Sequence, residues 1–313
     1  MSSPVIEFDG AVKAYGDKRI GPVNFSVERG EIFGFLGPNG SGKTTCIRML
    51  LGLARPSAGR VRLRGLDPLG DHIGALTGVG YSPELPNIQA FMTPREVLAL
   101  SAKEIGLDSG VRAEIDRVLE DVGIITYGDS KVSRLSKGMV QRLSVAQALI
   151  GSPQTLVLDE PMIGLDPAGT AHLRETFLEY ARGGGTILMS SHMMSEVEGM
   201  CSSVGLIHGG RLLFRGTPRE MIGAMLDSSE VRIEAKGMSA STVESIRRLE
   251  GVLAVEEVPG GLSVRVARGV EARPEISKIV IQGGAELLTI REGDRMLEKA
   301  YIEALRSGGS KAE

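Results

Sequence analysis

Residues 37–45 read GPNGSGKTT, after an apolar run over 32–36 and before a helical pattern over 44–53. A strand that breaks into a glycine-rich turn and then a helix is the layout of a phosphate-binding loop, and it constrains the fold more than any other stretch. Gly37, Gly40 and Gly42 let the backbone curl with its N–H groups turned inward. The helix start adds free N–H groups and a partial positive charge. Lys43 has the reach for the β- and γ-phosphates, and the Thr44 hydroxyl suits Mg²⁺. Pro38, Asn39, Ser41 and Thr45 complete the loop. An accidental glycine-rich turn would not carry the full G-x4-G-K-T spacing with both correct flanks, so the chain is predicted to bind a nucleoside triphosphate.

A length of 313 residues predicts one large domain with a smaller one, or two domains. An apolar share of 42% supplies a sizeable core, and 42 glycines without any Trp suit an α/β protein with many turns. A net charge of −3 and the lack of a long basic run argue against a dominant nucleic-acid surface, so no nucleic-acid partner is expected. Cys46 and Cys201 form no Cys-x-x-Cys pair and read as small apolar residues in a reducing compartment. MSSPVIEFDG has no signal-peptide core, and no apolar run approaches the ~20 residues that span a bilayer. The expectation is a cytoplasmic chain whose membrane span, if it needs one, comes from another polypeptide.

Alternating runs predict strands at 5–8, 24–27, 31–36, 61–64 and 78–83, with Tyr15 in a turn-rich stretch. Thr93, Pro94 and Glu96 form a capping box that opens a helical region over about 95–123, broken near 106–110. A second block, 135–192, holds a helix with Met139, Val140, Leu143, Ala146, Leu149 and Ile150 at helical spacing. Strands at 155–158 and 186–190 follow, then a hairpin around Gly209-Gly210. The predicted domains are 1–228 and 229–306, with 307–313 as a disordered tail. In the second domain the order strand–helix–strand–strand–helix–strand, plus a last helix, predicts a small α+β fold of ferredoxin-like type.

A phosphate loop needs a second acidic site. The strand 155–158 runs into Asp159 and Glu160, at the edge where open α/β sheets bind ligands. Asp159 suits Mg²⁺. Glu160, one residue on, points elsewhere and can orient or deprotonate an attacking water. His72, His172 and His208 have no metal-ligand spacing.

With these residues in order, the chain resembles the nucleotide-binding subunits of ABC transporters from residue 5 to about 221. Tyr15 matches the aromatic that stacks on adenine, and 37–45 the phosphate loop. Leu135-Ser136-Lys137-Gly138-Met139 stands where that family carries its LSGGQ signature. Asp159 and Glu160 match the Mg²⁺-binding acid and the catalytic glutamate. Gly164-Leu165-Asp166 matches the loop coupling two ATP sites, and His192 the histidine at the γ-phosphate. The resemblance implies a P-loop NTPase core of mixed sheet with an antiparallel β subdomain and a helical subdomain. It implies ATP hydrolysis with Mg²⁺, catalysed through Lys43, Glu160 and His192. It further implies a second ATP-binding subunit, homo- or heteromeric, whose Ser136 and Gly138 face this chain's phosphate loop. A membrane-spanning permease would hold the chain at the cytoplasmic face of the membrane.

Glu84 stands where the family usually has a glutamine, and would contact ATP-bound Mg²⁺ or the attacking water together with Thr44 and Asp159. Lys137 and Met139 replace Gly and Gln of the signature, and Met162 and Ile163 replace small polar residues. These variants, with the C-terminal domain, look most like the branch that exports drugs, lipids or polysaccharides. The alternative is a soluble ABC ATPase of DNA repair or translation. Residues 44–135 leave no room for a long coiled-coil insertion, there is no cysteine cluster, and only one phosphate loop is present. Residues 230–306 could serve as a ligand-sensing domain, but they offer no recognisable pocket motif, and a structural role is the expectation.

Overall fold

The computed structural model describes residues 3–226, 228–293 and 296–309. The chain divides into two compact units, Met1–Thr217 and Pro218–Glu313.

The first unit opens with β1 (Ile6–Tyr15) and β2 (Lys18–Val27), followed by β3 (Ile32–Leu36) and α1 (Lys43–Leu50). Next come β4 (Ala58–Leu63), α2 (His72–Leu76), β5 (Val79–Ser82), α3 (Pro94–Glu104) and α4 (Val111–Asp121). It continues with α5 (Lys137–Leu149), β6 (Thr155–Asp159), α6 (Pro167–Arg182), β7 (Thr186–Ser191) and α7 (Met194–Val197), and closes on β8 (Ser203–His208) and β9 (Arg211–Gly216). Six strands form one mixed sheet in the order β5-β6-β7-β3-β8-β9, parallel except for the β8–β9 hairpin. A second, antiparallel sheet has the order β2-β1-β4. Every residue of β3, β6 and β7 is buried, as expected of parallel strands covered on both faces.

Four aromatic rings tie the two sheets together under the phosphate loop. Phe8 stacks on Phe25 at 4.6 Å, and Phe25 lies 5.0 Å from Phe33 and 5.4 Å from Phe35. Cys46 sits in the same core, where burial pushes its thiol up to about 12. Thr93 caps α3 as its sequence predicts: its hydroxyl accepts from Glu96 N at 3.2 Å, and Glu96 accepts from Thr93 N at 2.7 Å.

The first two strands are far longer than their alternating runs suggest. Tyr15 ends β1 instead of lying in an irregular loop, because the two-residue turn Gly16-Asp17 pairs Tyr15 with Lys18 and extends the hairpin.

The second unit contains α8 (Pro218–Met225), β10 (Ser228–Lys236), α9 (Ala240–Arg247), β11 (Val252–Val258), β12 (Gly261–Ala267), α10 (Arg273–Gln282), β13 (Glu286–Glu292) and α11 (Met296–Gly309). Its sheet is antiparallel, in the order β11-β12-β10-β13. Val231, Ile233, Leu262, Val264 and Val266 line one face with Val243, Ile246, Ile276 and Val280 of the helices. That is the βαββαβ arrangement of a ferredoxin-like domain. The division falls between Thr217 and Pro218, earlier than the change of sequence pattern near 228, because α8 packs on α11 within the second unit. Leu297, Ala300 and Ala304 give α11 a buried stripe, and the helix runs through 307–309, which composition assigns to a tail. Residues 310–313 of that tail lie outside the described residues.

Candidate functional site

The phosphate loop joins β3 to α1. Gly42, the N-cap of α1, has φ 118°, a conformation that an L side chain rarely adopts. At Gly37 an added Cβ would stand 2.3 Å from the Ile207 carbonyl oxygen, so the loop closes on β8 only with glycine there. Lys43 begins α1 and is 6% exposed. Its Nζ donates to Gly37 O at 2.7 Å and lies 3.1 Å from Glu160 Oε1. Ser41 Oγ is buried and without a hydrogen-bond partner among the described residues, and Glu160 Oε1 receives only the Lys43 ion pair. Polar atoms stranded in this way, beside a loop of backbone N–H groups, fit an anionic ligand with phosphate oxygens and a metal ion.

Asp159 closes β6 and pairs with Ser190 of β7 in the parallel ladder. Ser190 Oγ donates to Asp159 Oδ1 at 2.6 Å and accepts from Glu160 N at 2.9 Å. One hydroxyl therefore fixes both acids. Glu160 has φ 51°, left-handed for a non-glycine residue, a conformation that costs on the order of 1–3 kcal/mol and concentrates at functional sites. This turn aims its carboxylate at Lys43 on one oxygen and at His192 on the other, where His192 Nδ1 lies 2.8 Å from Oε2. Gln141 of α5 reaches the Glu160 carbonyl at 3.5 Å. Ser190 and Gln141 are the residues that sequence reasoning missed. Ser190 had a signal, since it sits just before Ser191-His192 at the end of an apolar strand.

Above these groups lies a cleft of about 540 Å³. Tyr15, Lys18, Arg48, Glu84 and Glu160 line it with residues 38–45 of the loop. Tyr15 is half exposed, with Lys13 Nζ 5.0 Å from its ring centroid. Glu84 is half-buried, just past β5. Among the described residues no three His, Cys, Asp or Glu side chains converge as a metal cage, so a cation here would draw on few protein ligands.

Ser136, Gly138 and Asp166 do not line this cleft. Ser136 is the N-cap of α5, its Oγ accepting from Met139 N at 3.2 Å. Gly138 packs so closely that an added Cβ would be 3.0 Å from Gly164 O. Asp166 caps α6, accepting from Gly169 N at 2.8 Å, and lies 3.3 Å from Arg142 Nη2. Ser136 and Asp166 are exposed. The structure thus gathers Tyr15, the loop, Glu84, Asp159, Glu160 and His192 in one place, and Ser136, Gly138 and Asp166 in another.

A family model described as ABC transporter matches residues 20–163. The bacitracin transport ATP-binding protein BcrA of Bacillus licheniformis is 33% identical over 308 residues, 98% of this chain and 99% of its own length. The chain belongs to the ABC transporter ATP-binding family. A Nod factor export ATP-binding protein I of Paraburkholderia xenovorans is 38% identical over 236 residues, 74% of this chain and 77% of its own. Among solved structures, an ATP-binding subunit of an ABC transporter superposes with a TM-score of 0.63 at 30% identity, covering 69% of this chain and 91% of its own. The protein cbiO1 of Clostridium perfringens, described as part of the ABC transporter complex cbiONQ, gives 0.63 at 26% identity over 70% of this chain and 90% of its own. This ABC ATPase binds and hydrolyses ATP as a transporter's ATP-binding subunit, and a role in DNA repair or translation is disfavoured. No helix among the described residues is long and apolar enough to cross a membrane.

Proposed function

We propose that this chain powers export through a separate membrane-spanning permease, as one of two ATP-binding subunits docked head to tail at the cytoplasmic face. The observation that carries this reading is the separation of the two residue groups. Lys43, Asp159, Glu160 and His192 are linked within one chain, while Ser136 and Asp166 are exposed and, with the half-buried Gly138, stand outside the cleft. A second copy turned head to tail would bring its signature over the first copy's phosphate loop. Export is supported by relatives whose names specify bacitracin transport and Nod factor export.

In this reading Tyr15 stacks on adenine, and the loop N–H groups with Lys43 hold the phosphates. Thr44, Asp159 and Glu84 would hold Mg²⁺, which when bound neutralises phosphate charge. Glu160 takes the proton of the attacking water, and His192, on the other carboxylate oxygen, keeps that base oriented. Ser136 and Gly138 of the second copy close over the phosphates, so hydrolysis reopens the pair. Leu85 and Phe91, 72% and 71% exposed and close in sequence to Glu84, offer apolar contacts for the permease. Native copurification should recover a multi-span membrane protein, and transport by that partner in liposomes should require this chain. Transport that continues without it would refute the proposal.

A further inference from the structure

A third buried carboxylate, with no part in the chemistry above, lies near His192. Glu196 is on the one-turn α7, only 8% exposed. Its Oε2 accepts a 2.5 Å hydrogen bond from Ser191 Oγ. The same Ser191 oxygen accepts from Met193 N at 2.9 Å. One serine hydroxyl thus spans the two-residue bend His192-Met193, receiving from the backbone beyond it and donating to the carboxylate beneath it. Burial pushes the Glu196 carboxyl above the ordinary range, the Ser191 bond draws it down, and the nearby charges of Glu160 and His192 act in opposite senses. A buried carboxylate is costly unless it is hydrogen-bonded or paired, and here the Ser191 hydroxyl supplies the bond.

We infer that Glu196 is a positioning residue for hydrolysis: through Ser191 it fixes the bend that sets the His192 ring against Glu160. The inference rests on the roles proposed above for His192 and Glu160. His192 is itself partly exposed, its side chain at 36%, so its aim depends on the backbone that carries it. Ser191 Oγ also lies 3.2 Å from the Met193 carbonyl, so with the Glu196 acceptor removed its hydroxyl hydrogen turns there and the bend loses its anchor to α7.

The test is steady-state ATPase of the full-length chain with Glu196→Leu, Glu196→Gln and Ser191→Ala, each checked for melting temperature and nucleotide affinity. Leucine fills the volume without an acceptor. It should lower kcat about tenfold with KM for ATP within about twofold, the size of effect expected when one buried hydrogen bond worth ~1.4 kcal/mol orients a catalytic group. Ser191→Ala should do the same, the double variant should lose no more than either alone, and Glu196→Gln, which keeps an acceptor oxygen, should recover most of the rate. A Glu196→Leu enzyme with normal kcat overturns the inference. So does a Glu196→Gln enzyme as damaged as Glu196→Leu, or a loss that appears as a KM rise tracking lowered melting temperature. Glu160→Gln is measured alongside. If it too turns over normally, the underlying reading falls as well; if it is inactive while Glu196→Leu is normal, only the inference about Glu196 falls.

Discussion

The two residue groups proposed to act on nucleotide in this chain are built on opposite plans. Lys43, Asp159 and Glu160 are between 1% and 6% exposed and satisfy one another through Gly37 O, Ser190 and His192. Ser136 and Asp166 are exposed residues at helix starts, where their side chains cap backbone N–H groups, Asp166 with Arg142 3.3 Å away as well. A buried charge network is sensitive to each member, because removing one partner strands another. An exposed cap can be altered without stranding a buried charge, at a cost of about 0.5–2 kcal/mol to the isolated chain. Substitutions in the first group should therefore damage binding or chemistry within one chain, and substitutions in the second should damage association.

The largest effect should come from Glu160→Gln. Steady hydrolysis should fall by about 10²–10⁴, the range for loss of a general base, while ATP binding is kept. Turnover near that of the wild type would remove Glu160 from the chemistry. Lys43→Ala should rank next, since it removes a charged donor from the loop. ATP affinity should weaken by about 2–3 kcal/mol, measured by calorimetry. An unchanged affinity would take Lys43 out of the site.

Much of the buried half was legible because its signals are local. The G-x4-G-K-T spacing, the apolar strand that runs into Asp159 and Glu160, and Ser191-His192 after another strand each sit within a few residues of one another. What could not be read depends on pairing between distant segments. Ser190 meets Asp159 only because β6 and β7 are in parallel register. Lys43 meets Glu160 only because β3 and β6 flank β7 in the sheet order. Tyr15 reads as a loop residue until the Tyr15–Lys18 pairing makes it the end of a strand. The second unit was legible as an order of elements, but the start at Pro218 rests on the packing of α8 against α11, which no local pattern carries. The division of labour between the two residue groups came from the resemblance, since nothing in the periodicity around Ser136 points to a second chain.

Smaller effects sharpen the contrast. Ser136→Ala should cost roughly 0.5–2 kcal/mol of stability as a lost N-cap. Its nucleotide affinity as a single chain should be unchanged, and hydrolysis should fall because the closed pair is lost. Weakened ATP binding by the isolated monomer would show that Ser136 acts in cis. Tyr15→Ala should weaken ATP binding by about 1 kcal/mol, a stacking contribution at the low end of base–aromatic contacts, with Tyr15→Phe close to wild type. Equal affinity for the alanine variant would leave Tyr15 as a strand-end residue.

The central claim is that the phosphate loop is half of a site, completed by another subunit. The most direct measurement is the solution mass of the Glu160→Gln chain by light scattering, with and without saturating ATP and Mg²⁺. The account predicts one chain mass without nucleotide and twice that mass with it, the doubling abolished when Ser136→Ala is added. A mass that stays at one chain while ATP is demonstrably bound would contradict it.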